Sequence, residues 1–438
     1  MSRRAVACLI FFRLTFLKLI RLLKPVAMTA GGTVAGQLIM LLALPLIAMG
    51  YGPEEVGEYN FLFSSGYLLA CLLCFRLELG ILKEREEDAL LASRICNRIA
   101  LTSLFFLFCL MLLFSQRSSS DFLYILFLGA FWHLVAIGHY LSVQRRYLTL
   151  SIIRIVPALF FLIVLAYSVL FEIHVPIFDL HAVSWVLFVV LFLFCLVVGK
   201  GKNAVVINYG LCRSFFHKHR RLLYYQLPAD LLCDITRFVM PLLIPLFYGN
   251  HAAGLYMVAS KLLFFPLTLL STSLGVVFRR EAIAVFYQKE KFLLIFKSVL
   301  MLLFVVMMLY IVGSYFFVRP VMQLLFSDVW IDAIDIAMAM IPSVAMSIMY
   351  ETLSHVFFIL NRQHYHLMVY GTILLVAMLI VTASSYLEIG FLDSLYLFSW
   401  SIFIIQFIGV VFCCRCVNAY IKAYEENGVD DFSIKAGK

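Results

Sequence analysis

The chain has 438 residues, of which 64% are hydrophobic and 13% charged, with a mean hydropathy of +1.01. A soluble domain holds about 45–50% apolar and about 25% charged residues, so composition excludes a soluble globular protein and predicts a polytopic membrane protein. The formal charge of +9 stands beside no aromatic stacking platform in a soluble segment. Nucleic acid is therefore a poor partner, and the bilayer with its anionic headgroups takes its place.

At the start, Arg3 and Arg4 followed by Ala5–Phe12 imitate a signal peptide, but Arg13, Lys18, Arg21 and Lys24 interrupt the apolar run. No A-x-A-like cleavage site follows, and the apolar stretch before Cys8 is too short for a lipoprotein site. Residues 1–24 read as a basic helix lying along the cytoplasmic interface. Beyond them, at roughly 20 apolar residues per crossing, twelve spans are predicted: 26–48, 57–79, 97–115, 121–143, 150–171, 181–199, 224–248, 252–275, 292–317, 331–358, 366–386 and 394–414.

Charge is sorted by connection. About thirty of the 34 Lys and Arg fall on 1–25, 76–98, 145–154, 200–221, 279–297, position 362 and the tail from Arg415. The alternate connections hold Arg117 and Arg319, and Arg237 and Lys261 lie within spans. The positive-inside rule then puts both termini in the cytoplasm and the protein in a bacterial inner membrane.

Five segments follow: the 1–24 helix, a lobe over 25–199, a cytoplasmic linker over 200–221, a lobe over 222–416 and a tail over 417–438. The linker carries the basic run His217-Lys218-His219-Arg220-Arg221. Six passes on each side return the chain to the same face, so the lobes should be parallel repeats about an axis along the membrane normal. Tyr51-Gly52-x4-Gly57-x-Tyr59 joins the first two spans, and Tyr248-Gly249-x4-Gly254-x-Tyr256 joins the seventh and eighth. Duplication accounts for both; two tight turns with Gly at positive φ and interfacial Tyr are the alternative.

These residues resemble a known family. Gly36-Gln37, Pro45, Tyr51-Gly52-Pro53-Glu54-Glu55-Val56-Gly57 and Arg76-Leu77-Glu78 resemble the opening of polysaccharide exporters, the Wzx-type O-antigen and capsule flippases. Leu227-Pro228-Ala229-Asp230, Phe247-Tyr248-Gly249, Ala253-Gly254-Leu255-Tyr256, Pro266 and Val277-Phe278 resemble the start of that family's second half. The wider group contains multidrug exporters of the MATE type and lipid II flippases. The resemblance implies an all-α membrane fold of two six-helix lobes around a central cavity. It also implies alternating access that carries an undecaprenyl-diphosphate-linked oligosaccharide from the cytoplasmic to the periplasmic leaflet. A polymerase and a chain-length regulator of the same pathway become possible partners of a monomeric transporter. The long 1–24 start departs from the family pattern.

The residues themselves support a polar interior. Asp230, Asp234 and Arg237 follow i, i+4, i+7 spacing and share a helical face within roughly 60°. An ionisable group at mid-membrane costs about 2.5–3.5 kcal/mol, so these residues and Lys261 should turn from lipid. Arg237 and Lys261 are candidates for the cargo's diphosphate, and the two aspartates for a coupling ion. Structural pairing, Asp234 with Arg237 and Asp230 with Lys261, is the alternative. Arg76, Arg98 and Arg154 lie about one turn inside the cytoplasmic ends of their spans. They form either a vestibule for a pyrophosphate or headgroup anchors. Glu351 and His355, at i, i+4, could relay protons or form a buried pair. Asp332 and Asp335 read as outer-interface anchors. Pro241 and Pro245 remove backbone donors and invite a kink that would suit a gate.

Walker A, H-E-x-x-H and G-x-S-x-G sequences are absent, so enzyme chemistry is a minority reading. A polymerase or ligase would carry a larger outer loop than Arg319–Trp330. A multidrug exporter of the same fold stays open. The cysteines fall in spans or on the inner side, and Cys71-x-x-Cys74 has no zinc-spaced partners, so neither disulfides, a metal nor another cofactor is expected.

Overall fold

The computed structural model describes residues 31–114, 119–198, 209–220, 224, 227–286, 288–360 and 362–427. The expected 1–24 helix, much of the linker and the end of the tail lie outside them. Among the described residues there are helices and turns but no strand. The helices are α1 (Gly31–Gly50), α2 (Pro53–Leu72), a 3-10 helix (Leu77–Lys83), α3 (Ala89–Phe114), α4 (Ser119–Val143), α5 (Tyr147–Leu170), α6 (Ile177–Val198) and α7 (Tyr209–Lys218). They continue with α8 (Leu227–Ala284), α9 (Lys289–Leu325), α10 (Ala333–Leu353), α11 (His355–Ile359), α12 (Gln363–Tyr386) and α13 (Phe391–Asn427).

Among the described residues nine helices are long and apolar enough to cross a membrane. Twelve crossings require α8 to count twice and α2 and α6 to be added. The α8 run joins the expected seventh and eighth spans and leaves helical geometry at Gly249, with φ 85° and ψ 167°. Helix α6 runs 22 residues over Ile177–Val198 and is wholly apolar after Asp179, His181 and Ser184. The apolar character of α2 is diluted by Glu54, Glu55, Glu58, Asn60, Ser64 and Ser65. Pro53 opens α2 at a position where a missing N–H costs nothing, and Glu55 accepts the Gly52 N–H at 3.4 Å.

Two compact units divide the chain: one holds the residues up to Ala43 together with Gly66–Leu227, the other Leu44–Ser65 together with Pro228–Lys438. In the first, α4 packs against α3 and α6, and α5 against α6. Its interior is aromatic: Phe131 stacks on Trp185 at 5.3 Å and Phe161 on buried His181 at 4.6 Å. In the second, α10 packs against α9 and α13. Fully 72% of its apolar window is buried, against 17% for α3, which makes α10 the central helix of its unit. Its Ala and Ser residues let neighbouring backbones come close.

The second unit takes in Leu44–Ser65 for a local reason. A Cβ on Gly57 would lie 2.7 Å from the Asn250 carbonyl carbon, and a Cβ on Gly254 would lie 2.7 Å from that of Pro53. Gly57 and Gly254 hold the same place in the two Tyr-Gly turns, as do Pro53 and Asn250. Each turn thus rests its glycine on the other's backbone.

Candidate functional site

In the first unit three nitrogen-bearing side chains gather. Arg154 on α5 donates to the Thr33 hydroxyl of α1. A Gly32-x3-Gly36 pair makes this contact possible: a Cβ on Gly36 would sit 2.9 Å from the Arg154 carbonyl oxygen, and one on Gly32 would sit 2.6 Å from Ser151 Cβ. Such a small-residue pair is the usual device for close helix approach in lipid. His139 on α4 feels the charges of both Arg154 and Arg76.

Arg76 leaves α2 in the left-handed region at φ 60°, directly after Phe75 at φ 51°. Two such non-glycine residues in succession cost of order 1–3 kcal/mol each, and they turn the chain into the 3-10 helix. Glu78, 2% exposed, stands 3.9 Å from the Arg76 guanidinium. Arg98 is exposed on α3, where its carbonyl accepts the Thr102 hydroxyl at 2.8 Å. The charges of Arg76 and Arg154 both reach His139, which the sequence did not single out; Gly32-x3-Gly36 was the legible signal that α5 meets α1.

The second unit holds a mixed group. Arg237 on α8 and Glu351 on α10 both act electrostatically on Tyr370 of α12. The helices meet there, with the Thr236 hydroxyl donating to Leu232 O at 2.7 Å and to Tyr370 O at 3.3 Å. Tyr350 Oη and His366 Nδ1 are 3.1 Å apart and their rings stack. His366 also meets Tyr370 edge-on at 4.8 Å. Gly409 of α13 makes room for Tyr350, since a Cβ there would lie 2.6 Å from its ring.

Glu351 and His355 were expected on one continuous helix. Ser354 between them keeps right-handed helical angles, φ −58° and ψ −21°, and donates its N–H to Tyr350 O at 2.8 Å, while His355 falls within the fields of Arg279 and His366. Its Nε2 would lie 3.0 Å from a Cβ on Gly275. Tyr350, His366 and Tyr370 were missed because aromatic residues in apolar helices read as packing.

Asp230 is half-buried, and Asp234, at 7% exposure, is buried on the same helix three residues before Arg237. Lys261 is exposed, with its Nζ 5.9 Å from the centroid of the Phe63 ring. No carboxylate lies within ion-pair distance of Lys261 among the described residues. Helix α8 runs through Pro241 and Pro245, and the residue that departs from helical geometry is Gly249. Asp332 and Asp335 are exposed at the start of α10. No group of three or more His, Cys, Asp or Glu that could hold a metal ion occurs among the described residues.

Residues 221–335 match a family model described as polysaccharide biosynthesis protein. No curated protein matches the sequence. Among solved structures, the lipid II flippase MurJ in an inward closed conformation is similar at TM-score 0.64 and 13% identity, covering 93% of this chain and 94% of that one. A MATE-family multidrug resistance transporter of the MOP superfamily, inward-facing, is similar at TM-score 0.62 and 12% identity, over 90% and 96% of the two chains. The MATE multidrug transporter DinF-BH follows at TM-score 0.57 and 14% identity, over 91% and 95%. These likenesses show an all-helical fold shared with MurJ and the MATE structures, and the family match over residues 221–335 is to polysaccharide biosynthesis proteins.

Proposed function

We propose that this chain is a flippase. It moves an undecaprenyl-diphosphate-linked oligosaccharide repeat unit from the cytoplasmic to the periplasmic leaflet of a bacterial inner membrane, by alternating access, for surface polysaccharide assembly. The observation that carries this reading is the match of residues 221–335 to a polysaccharide biosynthesis family within a fold shared with a lipid II flippase. Both termini are cytoplasmic, as the sorted Lys and Arg require. The chain acts as a monomer beside the pathway's polymerase and chain-length regulator.

Roles follow from charge. Arg76 and Arg154, with His139 between their fields, meet the diphosphate, for which guanidinium forks are suited; Arg98 contributes from α3. Arg237 and Lys261 present cations to the same anionic cargo from the second unit. Asp230, Asp234, Glu351 and His355 carry the coupling ion, with Tyr350, His366 and Tyr370 completing the group around Glu351. Gly249, together with Pro241 and Pro245, gives α8 the bend a gate needs.

Deleting the gene should abolish long surface polysaccharide while undecaprenyl-linked single repeat units accumulate inside the cell. Normal chain lengths in a clean deletion without a redundant flippase would overturn the assignment. The likeness to MATE multidrug transporters favours one second reading, export of small molecules. Drug sensitivity without any glycan defect would establish that instead.

A further inference from the structure

The basic run His217–Arg221 has no part in the flippase reading, and the structure splits it. At 100° per residue, Leu211, Phe215 and His219 of the α7 segment form one stripe, while Arg213, His217 and Arg220 form the opposite one. The first stripe is docked. Phe215 and His219 are buried, and a Cβ on Gly80 of the 3-10 helix would lie 3.1 Å from both rings. Glu84, 7% exposed, holds Lys218 Nζ at 2.6 and 2.7 Å and His219 Nε2 at 2.7 Å.

The second stripe is open. Arg213, His217 and Arg220 are exposed, and no carboxylate lies within ion-pair distance of them among the described residues. Phe216, flanking that stripe, is 40% exposed.

We infer that α7 is an anionic-lipid contact. Arg213, His217 and Arg220 lie on acidic headgroups of the cytoplasmic leaflet, and Phe216 enters the boundary between headgroups and acyl chains. Two observations favour a lipid surface over an acidic protein. The 3-10 helix that anchors α7 follows α2 after only four residues, so α7 is held at the edge of the membrane. A large exposed aromatic among cations is the composition an interface takes up. Lys218 and His219 serve the anchor, and the other cations serve the lipid. The inference rests on the proposed orientation for the choice of leaflet, but not on the cargo.

The test uses the full chain in nanodiscs of phosphatidylcholine alone, or of phosphatidylcholine mixed with phosphatidylglycerol. Both leaflets then have one composition, so sidedness does not enter, and the readout is amide exchange over residues 209–220. Exchange should slow with phosphatidylglycerol by up to about thirtyfold at low salt, which corresponds to about 1 kcal/mol for each of two arginines. The gain should shrink as salt is raised. Arg213→Gln with Arg220→Gln should abolish the lipid dependence while leaving exchange in phosphatidylcholine unchanged. Phe216→Ser should weaken it in part.

Equal exchange in the two lipids would overturn the inference, as would an undiminished lipid effect in the double variant. Slowing by a soluble acidic polypeptide but not by phosphatidylglycerol would assign the stripe to a protein instead. Failure of the flippase reading would appear in the glycan assay and leave this measurement untouched.

Discussion

In the first unit Arg76, His139 and Arg154 form a group dominated by cations, with Glu78 the neighbouring carboxylate. In the second, Arg237 shares its surroundings with Glu351, Tyr350, Tyr370 and His366. Under the proposed duplication, the frame common to the two halves is the pair of Tyr-Gly turns, which rest on each other through Gly57 and Gly254 in a reciprocal contact. On that proposal the backbone contact, where no side chain fits, is the part retained, and the charged positions are the part that diverged. An excess of positive charge suits a dianionic headgroup. A group with both signs and a histidine can take up or release a proton or small cation with little change in net charge. Under the proposed function, that contrast assigns the first group to cargo and the carboxylate, histidine and tyrosines of the second to coupling.

The duplicated part of the comparison should be the most fragile. Gly57→Ala and Gly254→Ala each place a methyl where a carbonyl group already stands, and overpacking of this kind costs about 1–3 kcal/mol. Export, measured as surface glycan per molecule of membrane protein, should fall about five- to hundredfold, and by similar factors in the two variants. A large fall in one and none in the other would break the reciprocity.

The divergent part should separate by phenotype. Arg154→Ala and Arg76→Ala remove hydrogen bonds to a charged group, worth about 1.5–3 kcal/mol each, and should cut export about ten- to hundredfold at every external pH. Arg154→Lys should recover only part, because an ammonium lacks the planar fork. Lys261→Ala tests the second unit's contribution to cargo and should cost less. Its ammonium faces the Phe63 ring, and such a contact is worth about 0.5–2 kcal/mol. Equal losses for all three would erase the distinction between the units.

In the mixed group, Glu351→Gln and His366→Gln should change how export in proteoliposomes depends on an imposed pH or sodium gradient. The effect on cargo binding should stay within about threefold, or about 0.6 kcal/mol. Loss of cargo binding with an unchanged gradient dependence would move these residues to the cargo side.

The fold was legible because it is written in composition and in sorted charge, both of which the bilayer reads over the whole chain. The span count was less so. A length-and-hydropathy rule separates α8 into two only if Gly249 is recognised as the break, while Pro241 and Pro245, the stronger sequence signals, sit inside unbroken helix. Arg76 and Arg154 were visible as cations near span ends, but the contact of Arg154 with Thr33 depends on Gly32 and Gly36 bringing α1 to α5. His366 was hidden because its role depends on Tyr350, sixteen positions away on another helix, and no spacing rule within one helix finds such a pair.

The smallest expected effect concerns the anchor of α7, which belongs to the first unit alone and so marks where the comparison stops. Burial would raise the Glu84 carboxyl, but hydrogen bonds from Lys218 and His219 outweigh it and hold the group below the ordinary value of 4.5. A carboxylate depressed in the folded state contributes stability above its unfolded pKa and loses it as pH falls through the depressed value. The anchor should thus hold across the neutral range and release only below the ordinary glutamate range, seen as faster amide exchange over 209–218. Glu84→Gln should exchange faster at neutral pH and lose that acid step. Lys218 is 61% exposed, so its share of the anchor is screened and worth about 0.2–1 kcal/mol, a change of up to about fivefold. His219 is 5% exposed, and salt should therefore weaken the Lys218 contact and spare the His219 one. An acid step that persists in Glu84→Gln would assign the release to another group.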